Sequence, residues 1–287
     1  MVRNLANPAC GWTLTPQDPP VASVLNRQAR APYVVLADHG GRAIPEALHN
    51  LGLPDSALEL HIAYDIGALE LAKALSASLD APLVWANYSR LVVDVNRTEA
   101  SATLIPQVSD GQHIPGNQSL TSAHIDARKE LLLRPYHQAI QALLAERADN
   151  GLFSAVISVH SFTPTMQGAV RPWHVGVLWD KDGGMVAPVI AHLRGRGNLA
   201  VGDNEPYSAR GIEGYTMAAH AEAHSRPNVL FEVRQDLLAT SAGIVQWANT
   251  LSAAIRSAGD VTQLLPSSDN TGPLGPARIG RALMAKP

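Results

Sequence analysis

The chain of 287 residues has a single cysteine, and only 16% of its residues are charged and 5% aromatic. One cysteine excludes an internal disulfide framework and a cysteine-only zinc site. Any metal would have to sit on histidine and carboxylate. Charge of either sign is scarce, and the formal net charge of -3 gives no electrostatic basis for binding nucleic acid. Long apolar runs are missing as well. Tyr33 to Ala37 and Val84 to Ala86 are strand-sized, far from the roughly 20 residues of a membrane span. The first residues lack the apolar core of a secretory signal, so the expectation is a cytoplasmic protein with no membrane partner. The short metal motifs His-x-x-His, His-Glu-x-x-His and Cys-x-x-Cys are all absent.

What the chain does have is apolar content, at 46%, and 11 histidines. The first speaks against disorder and suits one large domain, here taken as residues 1–287. Residues 1–31 show no period and read as an irregular arm. Tyr33 to Ala37, between Pro32 and the Gly40-Gly41 pair, reads as a strand buried on both faces. Asp65 to Leu79 has apolar residues every three or four positions and predicts a helix with Asp65 as its N-cap. Pro82 to Trp85, Leu91 to Val95, Phe153 to Val159, Val175 to Trp179, Leu199 to Val201 and Val229 to Val233 read as strands. Met185 to Leu193 and Ile244 to Ile255 read as helices. Thr121 to Asp149 reads as a long helical stretch that Pro135 should kink or split. Glu99 to Leu120 reads as a long loop, and residues 258–287 as a Pro- and Gly-rich tail. Strands alternating with helices predict an α/β layered fold.

Three of the predicted strands end in polar residues that packing does not ask for. They are Asp38-His39-Gly40-Gly41, Ser158-Val159-His160-Ser161 and Phe231-Glu232-Val233-Arg234. Ligands of open α/β sheets bind beyond the carboxyl ends of strands, so two histidines and a glutamate could converge there. A hydrolytic metal site needs three protein ligands and a carboxylate to take a proton from water. The plain alternative is that each strand-end histidine only makes hydrogen bonds. A second group, Ser89-Arg90 and Asp94-Val95-Asn96-Arg97, offers planar guanidinium donors and an amide to an anionic substrate. Its alternative is an arginine that pairs with Asp94 and braces the chain.

Taken in order, these motifs resemble the N-formylglutamate amidohydrolase family, within the wider zinc carboxypeptidase and aspartoacylase group. The resemblance rests on His39-Gly40-Gly41-Arg42, His61-Ile62-Ala63-Tyr64-Asp65, Ser89-Arg90, Asp94-Val95-Asn96-Arg97, His160-Ser161-Phe162, Arg171-Pro172-Trp173-His174, Asn204-Glu205-Pro206-Tyr207 and Phe231-Glu232-Val233-Arg234. It implies a three-layer α/β fold of the zinc-exopeptidase kind, a mixed, mostly parallel sheet with helices on both faces. It implies one Zn2+ ion, other divalent metals being acceptable to such ligands, with His39 and His160 among its ligands and Glu232 as general base. Asn96 and Arg97, supported by Arg90, would hold a substrate carboxylate, and Arg171 a second one. The small-molecule substrate implied is N-formyl-L-glutamate. Alternatives are another N-acyl amino acid or short amide, or a carboxylate-binding protein without catalysis. One departure stands out. The wider group has a glutamate three residues after the first histidine, whereas this chain has Arg42. The third ligand is therefore assigned to Asp65. Asp38 is second choice, because neighbouring side chains on a strand point to opposite faces.

Overall fold

The computed structural model describes residues 12–181, 183–210 and 214–264. Seven strands form one sheet: β1 (Ala22–Leu25), β2 (Tyr33–Ala37), β3 (Leu83–Ala86), β4 (Ala155–Phe162), β5 (Val175–Leu178), β6 (Val201–Asp203) and β7 (Asn228–Arg234). Their spatial order is β1-β3-β2-β4-β7-β5-β6. The β3, β2, β4 and β7 strands run parallel, β1 pairs antiparallel with β3, and β5 pairs antiparallel with β7 and parallel with β6. The sheet is mixed and mostly parallel, as expected. The arm expected to be irregular supplies its edge strand β1, while its first 11 residues lie outside the described ones.

Alternation along the strands divides two apolar layers. Tyr33, Val35 and Ala37 of β2, Ile157 and Val159 of β4, and Phe231 and Val233 of β7 face one layer. There they meet α1 (Ala68–Leu79), α4 (Gly183–Gly195) and α6 (Ser241–Arg256), through Leu71, Leu75, Val189, Trp247 and Leu251 among others. Val34 and Leu36 of β2 and Val156 of β4 face the opposite layer with α3 (Arg134–Asp149), which contributes Tyr136, Ile140 and Leu143. Strands buried on both sides read as continuous apolar runs, which is why the sequence marks them so clearly. Helices cover both faces, giving the expected three layers. Among the described residues, no helix is long and apolar enough to cross a membrane.

Three expectations change. Asp65 does not cap a helix: α1 begins at Ala68, after Gly67 in a left-handed conformation. A positive φ cannot continue an α-helix, so the chain turns there and leaves Asp65 aimed elsewhere. Leu91 to Val95 is not a strand. It is a buried turn whose carbonyls are met by side chains, with Asn117 Nδ2 donating to Leu91 O at 2.8 Å and Arg128 Nη1 to Val92 O at 2.9 Å. The apolar run signalled burial, and the backbone partners came from distant side chains rather than a ladder. Strand β4 runs on through His160 to Phe162 rather than stopping short of the histidine. The Thr121 to Asp149 stretch is not split: α2 (Ser122–Arg128) runs through a π-helical turn at Lys129–Leu133 directly into α3, all in right-handed helical backbone, with Pro135 just after the π-turn. The wider π spacing is a common way for a helix to take up such a disturbance of its hydrogen-bond ladder. The loop from Glu99 to Leu120 holds only a small hairpin, Val108–Ser109 with Gln112–His113, and a 3-10 turn. Residues 261–264 form another such turn, and the rest of the expected tail lies outside the described residues.

Gly67 is a sharp point of the fold. Besides its φ of +78°, a Cβ there would sit 2.6 Å from Leu238 Cβ. Gly67→Ala is expected to destabilise the protein by about 2 kcal/mol or more. Urea unfolding would show this as a lower midpoint at an unchanged slope.

Candidate active site

Toward the C-terminal ends of β2, β4 and β7, the face lined by Val34, Leu36 and Val156 turns polar. The next residues of the same alternation are Asp38 after β2, Ser158 and His160 on β4, and Glu232 on β7. Glu232 and His160 are direct partners across the β4–β7 pair, so their side chains leave the sheet on the same side. His39 follows β2 where the chain bends. Beyond it, the chain passes so close to Asn87 that a Cβ on Gly41 would lie 2.1 Å from the Asn87 carbonyl oxygen. Asp65 is tied in by its own N–H, which donates to His39 O at 3.0 Å.

These elements bring His39, Asp65 and His160 together. One ligand atom from each lies within 4.8 Å of the others, and all three residues are buried. The two rings meet edge to face, with centroids 5.0 Å apart. Each turns Nδ1 toward Asp65: His160 Nδ1 is 2.8 Å and His39 Nδ1 3.5 Å from Asp65 Oδ2. Each turns Nε2 toward a further carboxylate, His39 to Asp94 Oδ1 at 2.7 Å and His160 to Asp38 Oδ2 at 3.4 Å. Asp38 is held from behind by Tyr136 and Thr216, whose hydroxyls donate to its Oδ1 at 2.6 and 3.0 Å. Among the described residues, His39 Nδ1 has no hydrogen-bond partner, and neither has Glu232 Oε2. The group could bind a metal ion.

The charges explain the ionisation. Burial alone would raise the Asp65 and Asp94 carboxyls, but His39, with His160 at Asp65 and Arg90 at Asp94, holds both well below the usual range. Asp38 is lowered in the same way, burial being outweighed by His160. The rings respond in kind. Burial disfavours their protonation, yet Asp94 and Asp65 raise His39, and Asp38 and Asp65 raise His160 well above the ordinary value. Glu232 goes the other way: burial pushes it up to about 7, with His160 opposing and Asp65 adding to the rise.

The remaining expected residues are distributed around this centre. Arg90 donates to Asp94 Oδ2 at 2.9 Å and to Asp65 Oδ1 at 3.3 Å, so it braces two site carboxylates. Arg97 reaches the same oxygen of Asp94, Nε to Oδ2 at 3.7 Å. Asn96 donates its backbone N–H to Asp94 Oδ1. Arg171 lies against the Phe162 and Tyr207 rings, 5.8 and 4.8 Å from their centroids, with a thioether and a threonine hydroxyl as its hydrogen-bond partners. Among the described residues, no carboxylate is within ion-pair distance of it. Arg42 is turned to other partners: it pairs with Glu59 on the surface and lies over Tyr64. No local pattern in the sequence points to Tyr136 or Thr216. Tyr136 and Thr216 lie 98 and 178 positions from Asp38, the residue they hold, so no spacing could have linked them.

Comparison with known proteins gives this centre a family. The family model for N-formylglutamate amidohydrolase matches residues 31–239. Among solved structures, a gene product of Agrobacterium tumefaciens is 33% identical, with a TM-score of 0.83 over 85% of this chain and 97% of that one. An N-formylglutamate amidohydrolase from Ralstonia eutropha shares the fold at 21% identity, with a TM-score of 0.65 over 84% of this chain and 98% of that one. No curated protein sequence matches significantly. On the family match, the chain is an amidohydrolase enzyme and belongs to the N-formylglutamate amidohydrolase family.

Proposed function

We propose that the enzyme uses one zinc ion, held by His39, Asp65 and His160, to hydrolyse the amide of an N-formyl amino acid, N-formyl-L-glutamate first among them. The observation that carries this reading is the buried His-Asp-His group with Glu232 beside His160 and an unpartnered oxygen on that glutamate. The donors suit a divalent cation. Asp38, Asp65, Asp94 and Glu232 are buried, and two arginines stand among them, Arg90 on Asp65 and Asp94 and Arg97 on Asp94. With neutral histidines that leaves two negative charges in a low dielectric, an arrangement that a dication relieves. Each histidine has a second carboxylate on its outer nitrogen, which would fix its tautomer and strengthen it as a ligand.

When bound, zinc would polarise the acyl carbonyl and make water acidic enough to attack at neutral pH. Glu232 takes the proton from water at its free oxygen and delivers it to the leaving amine nitrogen. Asn96 and Arg97 hold the α-carboxylate, with Arg90 keeping Asp94, and so the turn behind them, in place. Arg171, set between Phe162 and Tyr207 without an anionic partner among the described residues, receives the side-chain carboxylate of a glutamyl substrate.

Replacing Glu232 by Gln keeps the shape and removes the base. Turnover is expected to fall by about a hundredfold or more with the metal retained. Parent-rate hydrolysis by this variant would remove Glu232 from the mechanism. For Arg171→Met, KM for N-formyl-L-glutamate is expected to rise about tenfold or more, while hydrolysis of N-formyl-L-alanine stays close to the parent. An equal effect on both substrates would take Arg171 off the side-chain carboxylate.

The metal assignment has its own pH signature. Without metal, His39 and His160 have raised folded-state values against 6.5 for a free histidine. Their contribution to stability is full below about pH 6.5 and is lost as pH rises through the folded values. Metal takes the place of those protons. The Tm difference between zinc-loaded and chelator-stripped protein should therefore widen from pH 6 to 8.5 in scanning calorimetry. A difference that shrinks with pH would exclude these histidines as ligands.

A further inference from the structure

Helix α5 (Thr216–His220) holds Asp38 through Thr216. His220 and His137 have no part in the chemistry above, yet they meet at the turn that carries Asn96. His137, near the start of α3, places Nε2 2.8 Å from the Val95 carbonyl oxygen and Nδ1 2.9 Å from Nε2 of His220. A carbonyl only accepts. The proton of a neutral His137 is therefore on Nε2, its Nδ1 is bare, and His220 donates to it. Burial pushes both rings below the ordinary histidine range, His220 to about 3, so the pair is neutral and the direction of the chain of donors is set. The rings stack 5.1 Å apart, and Tyr215 packs edge-on against His137 at 4.7 Å.

The same short segment grips Asn96 directly. The backbone N–H groups of Tyr215 and Thr216 each donate to Asn96 Oδ1 at 3.0 Å. Two donors on the oxygen leave the amide one orientation, with its NH2 turned away from α5. The turn is thus held at two points, the Val95 carbonyl by His137 and the Asn96 side chain by α5. His220 links the two, because it belongs to α5 and bonds His137.

We propose that His137 and His220 are positioning residues for substrate binding, holding the Val95–Asn96 turn so that the Asn96 NH2 meets the substrate carboxylate. The inference rests on the reading of Asn96 as a carboxylate-binding residue. It places no reacting atom on either histidine, so its effect belongs in KM.

Steady-state kinetics of the zinc-loaded enzyme with N-formyl-L-glutamate test it. His137→Ala should raise KM about three- to tenfold, with kcat within about twofold of the parent and metal content unchanged. His137→Gln, which restores an N–H toward the Val95 carbonyl, should recover most of the loss. His220→Ala leaves His137 in place and should give the same split at smaller size, which keeps the test open if His137→Ala does not fold. In an Asn96→Ala background, His137→Ala should add nothing further. If Asn96→Ala raises KM while neither histidine variant does, the positioning role is wrong and the carboxylate reading stands. It is equally wrong if the histidine variants lower kcat and metal content together, or if their effect persists in full without the Asn96 side chain. If Asn96→Ala leaves KM unchanged, the carboxylate reading itself falls, and the positioning role with it.

Discussion

Concentrated negative charge in a water-excluded place is the constraint on which the rest of this structure depends. Asp38, Asp65 and Asp94 are each 5% exposed or less, and Glu232 is 8% exposed. Carboxylates so buried stay ionised only where donors and positive charge are fixed around them. The protein meets this with donors from many parts of the chain. Arg90 spans Asp65 and Asp94, the rings of His39 and His160 each sit between two carboxylates, and Tyr136 and Thr216 share one oxygen of Asp38. Loss of one donor leaves an uncompensated buried charge, so the layers that carry these donors are bound to the site energetically as well as by packing.

The sheet supplies the geometry for this. Parallel strands β2, β4 and β7 lie side by side, and their alternation hands one face from aliphatic to polar residues within two positions. Helix α3 lies on that face and contributes Ile140 and Leu143 to the apolar layer and Tyr136 to the carboxylate beside His160. One helix thus closes the core and finishes the site. The buried turn after Arg90 does similar double service. Leu91, Val92 and Val93 fill the same layer, while Asp94 meets His39 and Arg97 and accepts the backbone N–H of Asn96. Arg128, itself buried, holds that turn through the Val92 carbonyl and Asn117.

Much of this was legible in the chain. The apolar runs of β2, β4, β5 and β7 could be read because burial on both faces leaves no alternation to misread. His39, His160 and Glu232 stood out because a polar residue at the end of such a run has no packing reason to be there. The errors are equally physical. Leu91 to Val95 has the composition of a strand because it is buried, but its carbonyls are satisfied by Asn117, Arg128 and His137 from far along the chain. Asp65 looked like a helix cap because carboxylates favour that place. The left-handed Gly67 moves the helix start by three residues and frees the carboxylate for His39 and His160. Asp38 came second to Asp65 because strand neighbours alternate; the chain bends at His39 and brings that residue to His160 as well, but the alternation from Val34 through Leu36 continues to Asp38. It is this that puts Asp38 on the face of His160, reaching the nitrogen turned away from Asp65.

The sequence by itself determined which segments are buried, that any metal must sit on histidine and carboxylate, and which strand ends carry polar residues that packing does not ask for. These follow from residue type and local period, which need no partner to be read. The tertiary structure decided how the groups pair: which nitrogen of each ring faces Asp65, that Arg90 braces two carboxylates, that Arg42 lies at the surface, and that α5 and His137 close on Asn96. Those outcomes depend on contacts between residues tens to more than a hundred positions apart, and only the packed layers bring such residues within hydrogen-bonding distance.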